Sequence, residues 1–178
     1  MEGKIFLIKE RIDTSIENVE SYKRNSKKFI IFIAMRLEDA KKQMLDNLFD
    51  ELKKINSGFK NLKLVIAGDG KLFNYCSNKS LEIKKKLKDK VEFEFLGEIN
   101  DMGKIINYSL NSNIVVGHGR GILEAMVLQK PVVLLAFDKK GSQLVTSSNV
   151  KNISDYNFSG RNFIFKDNDK SLSDILND

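Results

Sequence analysis

Asn113-Ile114-Val115-Val116-Gly117-His118-Gly119-Arg120-Gly121-Ile122-Leu123-Glu124-Ala125-Met126 reads as a buried strand that enters a glycine-studded turn and then opens a helix. Gly117, Gly119 and Gly121 leave the backbone free to adopt positive φ and to approach a ligand closely. The helix that follows offers unpaired amide N–H groups and the positive end of its dipole. The layout is that of an anion cradle. Glu124 falls about one turn inside that helix, with a side chain long enough to reach back to the turn. A carboxylate accepts hydrogen bonds and repels phosphate, so an acid here points to a hydroxyl-bearing ligand such as a nucleotide ribose.

Outward from this stretch, short apolar runs alternate with longer amphipathic ones. Strands are predicted at residues 29–34, 62–67, 91–96, 113–116 and 131–137. Helices are predicted at 40–55, 80–87, 101–110 and 121–128. Continuous apolar strands separated by helices belong to a parallel sheet covered on both faces, so the expected class is α/β, doubly wound. Residues 1–27 are polar apart from one short apolar piece. Beyond residue 149 periodicity fades, leaving 163–165 as a last strand and 172–176 as a short terminal helix. Ligands of such sheets lie beyond the carboxyl ends of the strands. That directs attention to loops 35–42, 68–71, 97–99, 117–121 and 137–142. Loop 68–71 lacks the Gly-Lys-Ser/Thr ending of a phosphate loop and reads as a tight turn flanking the cleft. Loop 138–142 has two readings, a flap over the ligand or a mobile surface loop.

The 178 residues suit one substantial core. An apolar share of 42% and a charged share of 30% exclude disordered and fibrous classes. No run reaches membrane-span length, and Lys4, Lys9, Glu10 and Arg11 break any signal-peptide core. The expected location is the cytoplasm, with peripheral association at the inner face of the membrane left open. The net charge of +6 comes largely from lysines on helical stretches, and the phenylalanines lie in strand-like runs. They form no stacking platform, so nucleic acid is not an expected partner. The single cysteine, Cys76, has no partner at disulfide or metal-ligand spacing, and no metal site is expected.

Five partial motifs in order carry a family resemblance: Met35-Arg36-Leu37 with Lys41, Ala67-Gly68-Asp69-Gly70, Glu94-Phe95-Leu96-Gly97, the stretch Gly117 to Met126, and Pro131-Val132-Val133. Together they resemble the C-terminal, donor-binding half of a retaining GT-B glycosyltransferase of family 4 (group 1) type. The resemblance covers residues 28–137 and implies a Rossmann-like doubly wound parallel sheet with helices on both faces. It divides the chain into a hinge-like segment, 1–27, where Ile12-Asp13-Thr14 is similar to the family's post-hinge Gly-Ile-Asp, and a nucleotide-sugar-binding domain, 28–178. The acceptor-binding half would then be absent and supplied in cis or in trans. Without it this chain is expected to be inactive, since the reaction takes place in the cleft between halves.

The resemblance further implies a hexosyltransferase-type activity in polysaccharide or glycoconjugate synthesis at the cell surface. The substrate would be a nucleoside-diphosphate sugar, with no cofactor or metal. Arg36 and Lys41 would be the catalytic cations that meet the charge growing on the departing diphosphate, and Gly119, Arg120 and Gly121 would supply amide donors. Gly117, His118 and Arg120 would complete donor binding, with Glu124 on the ribose. His118 is the only histidine, and its titration is expected near neutral pH. A solvent-facing turn residue is its other reading. One departure stands out: the family's first Glu, eight positions before Glu124, is replaced by Val116. An epimerase-like half or a non-catalytic nucleotide-binding module are the alternative functions.

Overall fold

The computed structural model describes residues 28–56, 61–88, 90–161 and 163–178, so the hinge-like segment 1–27 lies outside the described residues. The strands are β1 (Phe29–Ala34), β2 (Leu62–Ala67), β3 (Val91–Gly97), β4 (Ile114–Gly117), β5 (Val132–Leu135) and β6 (Ser142–Leu144). The helices are α1 (Lys42–Lys53), α2 (Phe73–Lys86), α3 (Met102–Asn111), α4 (Arg120–Val127), α5 (Val150–Ser154) and α6 (Leu172–Asn177). The strands form one sheet in the order β3-β2-β1-β4-β5-β6. β1 pairs with β2 from Phe29↔Leu62 to Ala34↔Ala67 and with β4 at Ile31↔Ile114, both parallel. The chain therefore adopts the expected Rossmann-like α/β fold.

Period-two alternation splits the core in two. Ile31 and Ile33 face the layer of α1, α2 and α6, against Met44, Leu45, Leu48, Cys76 and Leu172. Phe32 faces the other layer, with Ile122 and Ala125 of α4, Ile153 of α5 and Tyr108 of α3. The Phe32 and Tyr108 rings stack with centroids 5.6 Å apart. Met44, Leu45, Leu48 and Leu52 make the fully buried stripe of α1, while Lys42 and Asp46 pair at 2.8 Å on its outer side. Cys76 is buried in this core. Burial, reinforced by the Asp46 charge, pushes its thiol up to about 11, so it acts as packing and not as a nucleophile.

Three features differ from expectation. β6 runs antiparallel to β5, with Val133↔Leu144 and Leu135↔Ser142, so the sheet is mixed at this edge. Residues 163–165 make no strand. Phe163 is buried under the sheet while Ile164 and Phe165 are exposed, an in-out pattern without a hydrogen-bonded ladder. Helix α2 starts at Phe73, a full two turns before the predicted start, because Leu72 and Cys76 pack into the core beneath a polar-looking sequence. The terminal helix is fastened by a buried acid. Glu51 accepts the Ser173 N–H at 2.9 Å and the Lys54 ammonium at 2.8 Å. Burial alone would raise this carboxyl, but those hydrogen bonds outweigh it and hold it below the usual range. Among the described residues no helix is long and apolar enough to cross a membrane.

Candidate functional site

The strand order reverses between β1 and β4, and their following helices pack on opposite faces, α1 on one and α4 on the other. The loops leaving the two strands therefore diverge and leave a crevice, the place where open α/β sheets bind ligands. After β1 the chain alternates buried Met35, exposed Arg36 and buried Leu37. Leu37 is fixed by main-chain hydrogen bonds, donating to Asp69 at 2.9 Å and accepting from Leu72 at 2.8 Å. Such close passage of two loops requires glycine. A Cβ on Gly68, at φ 146°, would stand 1.9 Å from the Met35 carbonyl oxygen. Arg36, Glu38, Asp69, Glu98 and Asn100 surround a cleft of about 610 Å³ beyond the ends of β1, β2 and β3. The 68–70 turn thus flanks the cleft, as its sequence suggested.

Lys41 ends a 3-10 turn, Asp39–Lys41, that leads into α1. Its Nζ lies 2.6 Å from His118 Nε2, which joins the β1 and β4 loops across the crevice. An ammonium has no lone pair, so Nε2 accepts and the imidazole proton resides on Nδ1. That Nδ1 is buried and has no hydrogen-bond partner among the described residues. Burial, then the Lys41 charge, pushes the His118 pKa down to about 4. His118 is therefore neutral at physiological pH. The sequence-based expectations of titration near neutrality and of a solvent-facing side chain are both corrected, because neither burial nor the distant lysine is visible in a linear stretch. Burial and, secondarily, Arg161 lower the Lys41 pKa as well.

The glycine turn has the expected shape with one change in its donors. Gly119 adopts φ 59°, ψ −136° at the N-cap of α4, a conformation that requires glycine. Its N–H is spent on the Phe158 carbonyl at 2.5 Å, so this amide is not offered to a ligand. The Arg120 and Gly121 N–H groups lead the helix, where no preceding turn accepts them. Added Cβ atoms on Gly117, Gly119 and Gly121 would meet nothing within 4 Å. Open space, not protein packing, lies beside all three. Arg120 donates its Nε to Glu124 at 2.7 Å, and the Glu124 side chain is only 16% exposed against 55% for Arg120. The two residues assigned to different ligand groups thus hold each other. Val116 is 1% exposed and points into the α1-side core with Val133.

The sequence profile of the family Glycosyl transferases group 1 matches residues 14–174. The chain belongs to this family. Among solved structures, the chain resembles the C-terminal domain of the group 1 glycosyl transferase LpcC from Francisella tularensis. The two share 18% identity and a TM-score of 0.50 over 68% of this chain and 69% of that one. TarM from S. aureus gives 17% identity and a TM-score of 0.51, covering 76% of this chain and 29% of TarM. A glycosyltransferase from Rickettsia africae gives 24% identity and 0.44, covering 60% and 28%. At such identities the likeness is one of fold. The chain spans less than a third of the length of the Rickettsia and S. aureus proteins. No curated protein matches it.

Within this glycosyltransferase domain, several residues at the crevice escaped sequence reasoning. Phe137, just past β5, receives Lys41 Nζ at 5.0 Å from its ring centroid. The guanidinium carbon of Arg161 lies 4.7 Å from the same centroid. Lys41 was already named from its motif, whereas Arg161 comes from a segment with no helical or strand periodicity, where the isolated Gly160 before it is the only local hint. Asn47 of α1, buried, donates to the carbonyls of Ala136 at 2.9 Å and Lys139 at 2.8 Å. It tethers the 137–141 turn between β5 and β6, and Gly141 returns a bond to the Ala136 N–H at 3.1 Å. Of the two readings of this loop, a flap over the ligand and a mobile surface loop, neither describes the turn that Asn47 fastens.

Proposed function

We propose that this domain binds the nucleoside-diphosphate sugar of a retaining, hexosyl-type transferase that serves cell-surface polysaccharide or glycoconjugate synthesis. The observation that carries the reading is the crevice itself. At the β1/β4 switch point, Lys41 and neutral His118 stand beside a glycine turn whose three Cβ positions open onto empty space. Cleavage of the donor puts charge on the departing diphosphate, best met by preorganised cations and N–H donors. Lys41 and Arg36 supply the cations, the Arg120 and Gly121 amides the donors, and Glu124 accepts from ribose hydroxyls. His118 holds Lys41 in place through Nε2. S. aureus TarM has been solved with UDP, a ligand of the class proposed. An acceptor-binding half, in cis or in trans, completes the catalytic cleft, and without it the domain binds donor and transfers little.

Calorimetric titration with a panel of nucleoside diphosphates is the direct test. Binding that weakens in Lys41→Ala and Glu124→Ala supports the reading; no binding by any member of the panel removes it. One observation favours a second reading, a non-catalytic nucleotide-binding module. Val116 sits in the core where the family pattern has an acid, so the sugar contact that acid would make must come from elsewhere. Release of nucleoside diphosphate after an acceptor half is restored separates the two.

A further inference from the structure

The stretch after α5 returns to the crevice. The Phe158 carbonyl takes the Gly119 N–H and the Gly160 carbonyl takes the Phe137 N–H at 2.9 Å. Residues 158–160 are thereby stitched by main chain to the glycine turn after β4 and to the end of β5. The fit depends on a missing side chain. Gly160 has φ 75°, and a Cβ there would stand 2.2 Å from the Leu135 carbonyl oxygen. Arg161 follows directly and lies over Phe137, the ring that also carries Lys41. Two cations far apart in sequence thus gather on one ring, next to the histidine that Lys41 engages.

Among the described residues neither cation has an ion-pair partner. Their mutual repulsion is part of what lowers the Lys41 pKa. A pair of like charges held together without a counter-charge is relieved by an anion between them. The chemistry of the pair selects the anion. A guanidinium fork matches two oxygens of one phosphoryl group, and an ammonium acts as a point charge on another.

We infer that Arg161 is a further donor-binding residue, which with Lys41 clamps the diphosphate of the nucleotide beside the α4 amides. The inference rests on the donor-binding reading above and extends it to a segment outside the motifs. Arg161 is exposed, so its replacement leaves the core intact.

The test compares wild type, Arg161→Ala, Arg161→Lys and, as a control, Lys151→Ala, an exposed cation on α5. Each is titrated with inorganic pyrophosphate and with nucleoside diphosphates at two salt concentrations, and each melting temperature is recorded. Arg161→Ala is expected to weaken both ligand types about tenfold or more and to flatten their salt dependence. Arg161→Lys should recover part of the loss, and Lys151→Ala should match wild type. Binding unchanged in Arg161→Ala overturns the clamp while the donor-binding reading stands. Loss on pyrophosphate, with no nucleoside diphosphate binding better than pyrophosphate, keeps the clamp and removes the nucleotide reading. No binding by wild type of any of these ligands overturns both.

Discussion

His118 is the residue whose behaviour departs most from its free chemistry. Burial and Lys41 depress its pKa to about 4, so between its ordinary value near 6.5 and 4 the unfolded chain binds the proton that the folded chain refuses. Stability from this group is present above pH 6.5 and is lost as pH falls, by at most about 1.4 kcal/mol per pH unit. Urea unfolding of wild type and His118→Gln from pH 7 to 4 should show a steeper decline in wild type; parallel curves would refute the buried neutral imidazole. Gly160 offers a second test at this scale. Gly160→Ala places a Cβ against the Leu135 carbonyl at positive φ, and roughly 2 kcal/mol or more of stability should disappear. His118's place in the donor site could be named by resemblance, but neither its burial nor the close approach at Gly160 could be read from sequence. Their neighbours, Lys41 and Leu135, are distant in the chain and meet them only when the sheet assembles.

At the scale of elements, two buried polar side chains on α1 hold pieces that their own sequences could not place. Asn47 ties down the β5–β6 turn through two carbonyls, and Glu51 caps the start of α6 through the Ser173 N–H. Asn47→Ala strands the buried Ala136 carbonyl and releases Lys139, an expected cost of roughly 1–3 kcal/mol, with faster amide exchange across residues 137–141. Glu51→Ala should cost a similar amount, about 1–3 kcal/mol, and fray α6 first, visible as selective loss of its exchange protection. Equal loss of protection throughout would contradict a local fastening. Strands β1 to β5 and helices α1, α3, α4 and α6 were legible because apolar spacing reports a face that must be buried. β6 was not, since Ser142-Gln143-Leu144 is short, half polar and defined only by its pairing with β5. Residues 163–165 misled in the opposite direction, showing strand-like residues that form no backbone ladder.

For the whole molecule, the strand order places one crevice where the β1 and β4 loops part, and the donor-binding proposal has a thermodynamic consequence there. A nucleoside diphosphate at a hundred times its Kd should stabilise the domain by about 2.7 kcal/mol, read as a rise in melting temperature. Lys41→Ala should abolish most of that rise, whereas Lys84→Ala on the outer end of α2 should leave it intact. The α/β class, the order of strand and helix, the glycine turn and the positions of Arg36, Lys41 and Glu124 follow from local pattern and motif order. Each is set by what a short stretch must bury or leave free. The Lys41–His118 contact, the diversion of the Gly119 amide to Phe158, the Arg120–Glu124 pair and the return of Arg161 to Phe137 were decided by tertiary structure alone. They depend on which distant side chains the closed sheet brings within hydrogen-bonding range, and no local periodicity encodes that distance.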